Sequence, residues 1–177
     1  MIKVGLIGCG FMGGMHSACY AALAGLGVKV TAVADVRREY AENLANGAEI
    51  YATGMELIEK ADVDVVDICT PTFLHHDMVM ESLNLGVDTI CEKPIALNYA
   101  DAKEMLDTAA EKGCHLYIAQ VLQFTKEVQH LHRLVETEEY GKVLDASFER
   151  LSACPQWAMD GWLFDVNKSG LLPYDLH

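Results

Sequence analysis

The first fourteen residues, MIKVGLIGCGFMGG, constrain this chain more than any other stretch. Ile2, Val4, Leu6 and Ile7 make an apolar run of β character, and it stops at Gly8, Cys9, Gly10, Phe11, Met12 and Gly13. A strand that enters Gly-x-Gly-x-x-Gly and continues into a helix is the pattern of a dinucleotide-binding turn. Gly8 permits the tight turn, Gly10 lets the main chain approach a pyrophosphate, and Gly13 lets the helix pack closely on the strand. The N–H groups at the helix start, around Phe11 and Met12, then face the anion. Glycine-rich turns also arise for conformational reasons alone, so the rest of the chain has to supply the context.

It does so by repetition. Met15, Cys19, Ala22 and Leu26 follow a helical rhythm that Gly25 and Gly27 end, and Val28 to Ala34 reads as a second strand. That strand closes on Asp35, 22 residues past Gly13, the spacing of the acidic residue that binds the adenosine ribose hydroxyls. A 2′-phosphate there would meet Asp35 at a cost of ~1 kcal/mol in water and ~4 kcal/mol in a partly shielded pocket. NAD is therefore expected over NADP, although Arg37 and Arg38 are placed to reach a 2′-phosphate. A plain turn role for Asp35 also stays open. Further strands are expected at Glu49 to Ala52, Val63 to Cys69, Val87 to Cys91 and His115 to Ala119, with helices between them. Leu74, Met78 and Leu83 are read as facing inward on one helix. Asn98 is read as the N-cap of another whose stripe is Ala102, Met105, Leu106, Ala109 and Ala110.

Strands joined by helical crossovers demand a parallel sheet covered on both faces. The fold class expected is therefore α/β, a doubly wound parallel sheet over residues 1–120, with ligands beyond the carboxyl ends of its strands. The polar clusters at Asp35, at Thr70, Pro71 and Thr72, and at Glu92 and Lys93 all fall at such ends. Residues 121–177 read as the beginning of a second, incomplete α/β domain. It would hold a helix over Thr125 to Glu136 and a half-exposed strand over Val143 to Leu151, with almost nothing left to pair with that strand.

Composition narrows the partners. With 13 Lys and Arg against 26 Asp and Glu, the formal charge of −13 repels phosphate backbones and anionic membranes, so neither nucleic acid nor a membrane is expected. No apolar run is long enough to span a bilayer and no signal-peptide pattern opens the chain, which reads as cytoplasmic. The six cysteines stand singly without metal-ligand spacing and read as small buried hydrophobes, so no metal is expected.

With these residues in view, the chain resembles the glucose-fructose oxidoreductase, inositol dehydrogenase and MocA-like family. The glycine turn extends to His16, the Thr70, Pro71 and His75 pattern follows the fourth strand, and Glu92, Lys93 and Pro94 follow the fifth. Lys168, Ser169, Gly170 and then Asp175, Leu176, His177 are similar to the start of the family's late glycine, aspartate and histidine motif. The sequence departs from the pattern at Thr72, Gln123 and Leu171. The family's catalytic histidine falls past His177, which itself matches an intermediate position, so the resemblance implies a longer natural protein. It also implies a second domain that walls the substrate and builds a homo-oligomer.

For chemistry, the resemblance implies an NAD-dependent oxidoreductase acting on a sugar, inositol or related polyol. Lys93 would contact the substrate hydroxyl and the nicotinamide ribose, and a cis bond to Pro94 would hold its direction. Asp175 would bond substrate or orient the missing histidine. His75 is placed to bond either the cofactor or its own loop, and His16 either to pack under the turn or to make contact. His130 and His132 diverge on a helix and make a poor metal pair. A non-catalytic dinucleotide-binding regulator and an NAD-assisted glycoside hydrolase remain as alternatives.

Overall fold

The structure, a computed structural model, describes residues 1–149, 151, 153–156 and 158–175, with the main chain alone at 159 and 172. Its contacts divide the chain into two units: residues 1–119 together with the segment from Met159 onward, and Gln120–Ala158.

The first unit alternates strand and helix from its first residues. It runs β1 (Ile2–Ile7), α1 (Phe11–Ala22), β2 (Val28–Ala34), α2 (Arg38–Ala45), β3 (Glu49–Tyr51), α3 (Gly54–Lys60) and β4 (Val65–Ile68). It continues through α4 (His75–Asn84), β5 (Asp88–Glu92), α5 (Tyr99–Lys112) and β6 (Leu116–Ala119). All pairings are parallel, in the order β3-β2-β1-β4-β5-β6. This is the doubly wound order whose direction reverses between β1 and β4, where such sheets open a ligand crevice.

Both faces of the sheet are covered, because successive side chains of each strand point to opposite sides. Ile7, Val66 and Ile68 pack with Leu57 of α3, Val79 and Leu83 of α4 and Met105 of α5. Leu6 and Val33 pack on the other side with Ala41 of α2. Burying each of the large side chains contributes about 1.5–3 kcal/mol.

Capping follows chemistry. The Asn98 side chain accepts the Asp101 N–H, and Gly113 closes α5 in the left-handed region. Three local expectations change. α1 ends at Ala22, and a separate 3-10 turn, Ala24–Leu26, leads to Gly27. On α4, Leu83 is buried and Met78 packs partly buried against the core, as expected, but His75, Val79 and Ser82 are buried with them, because the helix starts at His75 after its own 3-10 turn. On α5 only Met105 and Ala109 are buried, while Leu106 is half exposed.

The segment from Met159 carries two short helices, α7 (Val166–Ser169) and α8 (Leu172–Asp175). Lys168 of α7 lies 5.9 Å from the ring centroid of Phe73, in the turn before α4. By its contacts this segment groups with the first unit.

Among its described residues the second unit has a 3-10 turn, Val121–Phe124, and one helix, α6 (Lys126–Thr137), which buries no residue. The expected strand over Val143 to Leu151 is absent from the described residues: none of 143–149 is in a ladder, and Leu144 and Phe148 are 96% and 82% exposed. Alternation alone does not make a strand, since an isolated one has no partner for its main-chain hydrogen bonds. Among the described residues no helix is long and apolar enough to cross a membrane.

Candidate active site

The glycine turn is shaped by close approach. Gly8 has φ +86°, and a Cβ there would lie 2.6 Å from the Cys69 carbonyl oxygen. A Cβ on Gly13 would lie 1.9 Å from the Gly8 carbonyl oxygen. At Gly10 a Cβ would meet nothing within 4 Å, so there the space outside the turn is open. α1 then begins with no side-chain cap and no acidic residue in its first turn. An open approach onto a helix start with no acidic residue in its first turn fits an anionic diphosphate.

Asp35 ties this turn to the end of β2. Its Oδ2 accepts the Cys9 N–H at 2.8 Å and its Oδ1 accepts the Arg37 N–H at 2.8 Å. An ionised carboxylate offers about four acceptor positions, so capacity remains for ribose hydroxyls. The two arginines part company. Arg37 lays its guanidinium carbon 3.5 Å from the Tyr40 ring centroid, with Nε 3.9 Å from Asp35 Oδ1. Arg38 instead donates to Glu42 Oε1 at 2.8 Å along α2.

At the ends of β4 and β5 the groups are side chains rather than main chain. His75 is buried, with Nδ1 2.9 Å from the Pro94 carbonyl oxygen and Nε2 2.9 Å from that of Thr70. Burial pushes its imidazole below the usual histidine value. The neutral ring has one N–H and can donate to only one of the two carbonyls. Of the two partners open to His75 in the sequence, its ring meets the loops. It joins the one carrying Thr70 and Pro71 to the one carrying Lys93.

The Lys93–Pro94 peptide bond is cis. Lys93 Nζ donates to the carbonyl oxygen of Asp175 at 2.6 Å and to its Oδ1 at 2.9 Å. The structure thus brings together the two candidate catalytic residues. Leu176 and His177 lie outside the described residues. His130 and His132, both exposed, sit on α6 in the second unit.

Sequence reasoning missed the group behind Lys93. His16 Nδ1 donates to Asp67 Oδ2 at 2.8 Å and its Nε2 to Glu92 Oε1 at 3.0 Å. Tyr20 Oη donates to the same Asp67 oxygen at 2.7 Å, and the second Glu92 oxygen accepts the Lys93 N–H at 3.1 Å. The bond to Asp67, then those to Cys69 and Glu92, push the His16 imidazolium up to about 12. One readable signal existed: Asp67 puts a charge inside the apolar run Val63 to Cys69, and a buried carboxylate demands a partner.

The side chains of His16, Asp67 and Cys69 each bring one potential metal-ligand atom within 4.8 Å of the others. Those atoms are engaged with one another, and burial pushes the Cys69 thiol up to about 12, which opposes the thiolate a metal would require.

A family model described as an oxidoreductase family with an NAD-binding Rossmann fold matches residues 2–120. The chain belongs to that Gfo/Idh/MocA family. It is 33% identical over 156 residues to the rhizopine catabolism protein MocA of Rhizobium meliloti, covering 88% of this chain and 47% of that protein. It is 33% identical over 120 residues to the inositol 2-dehydrogenase of Azotobacter vinelandii, covering 65% and 35%. The WlbA dehydrogenase of Chromobacterium violaceum, solved with NADH and UDP-GlcNAcA, matches with a TM-score of 0.75 at 25% identity over 79% of this chain and 41% of that one. The chain spans about half the length of curated relatives it matches, 46% and 47% for two of them. NAD is the family's cofactor, and the open turn at Gly10, the absence of an acidic residue in the first turn of α1 and the acceptor capacity of Asp35 fit it.

Proposed function

We propose that this chain is the cofactor-binding part of an NAD-dependent oxidoreductase acting on a carbinol of a sugar, inositol or related polyol. The observation that carries the reading is the Lys93 ammonium, held at the carboxyl end of β5 by the carbonyl oxygen and Oδ1 of Asp175. When bound, the nicotinamide supplies the hydride acceptor. Lys93 donates to the carbinol oxygen and stabilises the charge that grows there as the hydroxyl proton passes to a base of the substrate-walling domain and the hydride to the nicotinamide. Asp175 aims the ammonium and accepts hydrogen bonds from substrate. Gly8, Gly10, Gly13 and the N–H groups around Phe11 and Met12 hold the diphosphate, and Asp35 holds the adenosine ribose. Arg37 lines that end, and Thr70, Pro71, His75 and Glu92 shape the other.

NAD is preferred to NADP because Asp35 repels a 2′-phosphate while Arg38 is engaged by Glu42. Residues 121–177 begin the domain that walls the substrate, and the whole protein is a homo-oligomer. The names of the relatives, inositol 2-dehydrogenase and MocA among them, support the substrate class.

The test is a titration of NADH and NADPH followed by fluorescence, then NADH production from a polyol panel by a full-length form. Absence of binding to either nucleotide overturns the cofactor role. Binding without net NADH production from any polyol overturns the dehydrogenase. Lys93→Ala is expected to lower turnover far more than NAD affinity.

A further inference from the structure

Asp67 sits in the middle sequence of a central strand, paired in register with Leu6 of β1 and Ile90 of β5, and is fully buried. An unpaired carboxylate there would cost several kcal/mol, so the fold has to bring a cation to it. The cation comes from α1. His16 and Tyr20 are four residues apart on one helical face, and both bond Asp67 Oδ2. Cys69 adds a long contact from Sγ to Oδ1 at 3.7 Å.

The other nitrogen of His16 faces a second carboxylate, Glu92, whose side chain is 8% exposed. Ionised carboxylates only accept hydrogen bonds, so a ring placed between two of them carries a proton on both nitrogens. His16 is therefore a fixed imidazolium bridging strands β4 and β5 from above. Glu92 in turn gives one oxygen to His16 and the other to the main-chain N–H of Lys93. The chain of contacts runs Tyr20, Asp67, His16, Glu92, Lys93, and ends where the Lys93 ammonium meets Asp175.

We propose that His16 and Asp67 are positioning residues for Lys93: the imidazolium satisfies Glu92, so that the Lys93 ammonium is left to Asp175 and to substrate. Without His16, Glu92 is a buried carboxylate deprived of its cation, and the cation next to it in the chain is Lys93. The ammonium then divides between Glu92 and Asp175. Asp67 acts one step further back by holding the ring in the plane that reaches Glu92. This inference rests on the reading of Lys93 as the residue that touches substrate.

The test reads Lys93 itself and needs no turnover. The 177-residue chain is acetylated with an amine-reactive ester, and each lysine's rate is followed by mass spectrometry, with Lys60, Lys103 and Lys112 as internal comparators. Relative to those, Lys93 is expected to react about tenfold or more slower in His16→Asn, because a second, uncompensated carboxylate holds it as the unreactive ammonium. The double variant His16→Asn with Glu92→Gln is expected to return most of the parent rate, since a neutral amide no longer competes for the ammonium. Asp67→Asn and Tyr20→Phe, which keep the shapes of their side chains, give smaller decreases in that order and serve if His16→Asn does not fold.

An unchanged Lys93 rate in a folded His16 or Asp67 variant overturns the proposal. So does an increase, and so does a decrease that Glu92→Gln fails to reverse, because a loss of packing would not depend on the charge of Glu92. Parallel NADH titration separates this result from the functional reading. A chain that does not bind NADH but shows the acetylation pattern keeps the positioning network and loses the cofactor role.

Discussion

The two ends of the crevice are built from different materials. At the adenosine end, the main chain does most of the work: Gly8, Gly10 and Gly13 shape the turn, and Asp35 is held by the N–H groups of Cys9 and Arg37. At the reacting end, the contacts are between charged side chains from distant parts of the chain, with His16 between Asp67 and Glu92 and Lys93 against Asp175. The difference separates two physical demands. A diphosphate is gripped by N–H groups whose directions the main chain fixes. A reacting hydroxyl needs a directed charge, and a buried charge stays in place only when its counter-charges are also placed.

The largest expected effect breaks the first end. In Gly13→Ala the new Cβ falls 1.9 Å from the Gly8 carbonyl oxygen, so the turn has to open. NADH binding should be lost, with stability down by about 1–3 kcal/mol in thermal unfolding. Gly10→Ala sharpens the contrast, because its Cβ meets nothing within 4 Å. Its melting temperature should move little while NADH affinity falls about tenfold or more, a loss near 1.4 kcal/mol. Equal effects of the two substitutions would contradict a main-chain cradle open at Gly10.

Next in size is Asp35→Asn. Removing the charge should weaken NADH by about tenfold and bring NADPH closer to it, read as the ratio of the two dissociation constants. A ratio that does not change would deny Asp35 its discriminating role.

The reacting end is tested by pH. His16 is raised from 6.5 in the unfolded chain to about 12 in the fold, so its contribution is fully present below pH 6.5 and is lost as pH rises through about 12. His75 has the opposite sign: its folded value is lowered, so its contribution is present above pH 6.5 and is lost as pH falls through that lowered value. Stability measured by denaturant should therefore decline on the alkaline side in a way that His16→Asn flattens. It should decline on the acid side in a way that His16→Asn leaves alone. The smallest effect belongs to Arg38→Ala. An exposed pair with Glu42 is worth about 0–1 kcal/mol, and NADPH affinity should not change. A marked fall in NADPH affinity would bring Arg38 into the adenosine end.

The same contrast explains what the sequence made legible. The glycine turn is local, and its residues lie within one stretch, so spacing marks it and the polar clusters at the strand ends give it context. Asp35 follows from the same strand-turn-helix unit, and Lys93 from the rule that ligands meet strand ends. The doubly wound order follows from repeated crossovers. The partners of His16 are 51 and 76 residues away, and those of Lys93 are 82 residues away. Hydrophobic periodicity says which face of an element is inside, and it says nothing about which polar groups on two inside faces will meet. Resemblance placed Lys93 and Asp175, and the charged residue within the apolar run at Asp67 was a clue without an address. The alternating pattern of residues 143–149 shows the converse failure, a local signal with no partner to act on it.

One consequence concerns how the chain is threaded. Residues 120–158 leave the first unit after β6, and the chain returns to it at Met159, so they form a closed excursion with both ends anchored in one unit. For a flexible loop, the entropy of closure grows only logarithmically, and each doubling of length costs about 0.6 kcal/mol. The excursion can therefore lengthen or shorten at little expense to the sheet, provided its base stays shut. The grip of Asp175 on Lys93 is part of what shuts it. The same contact that aims a charge also sets the point from which the rest of the polypeptide is measured.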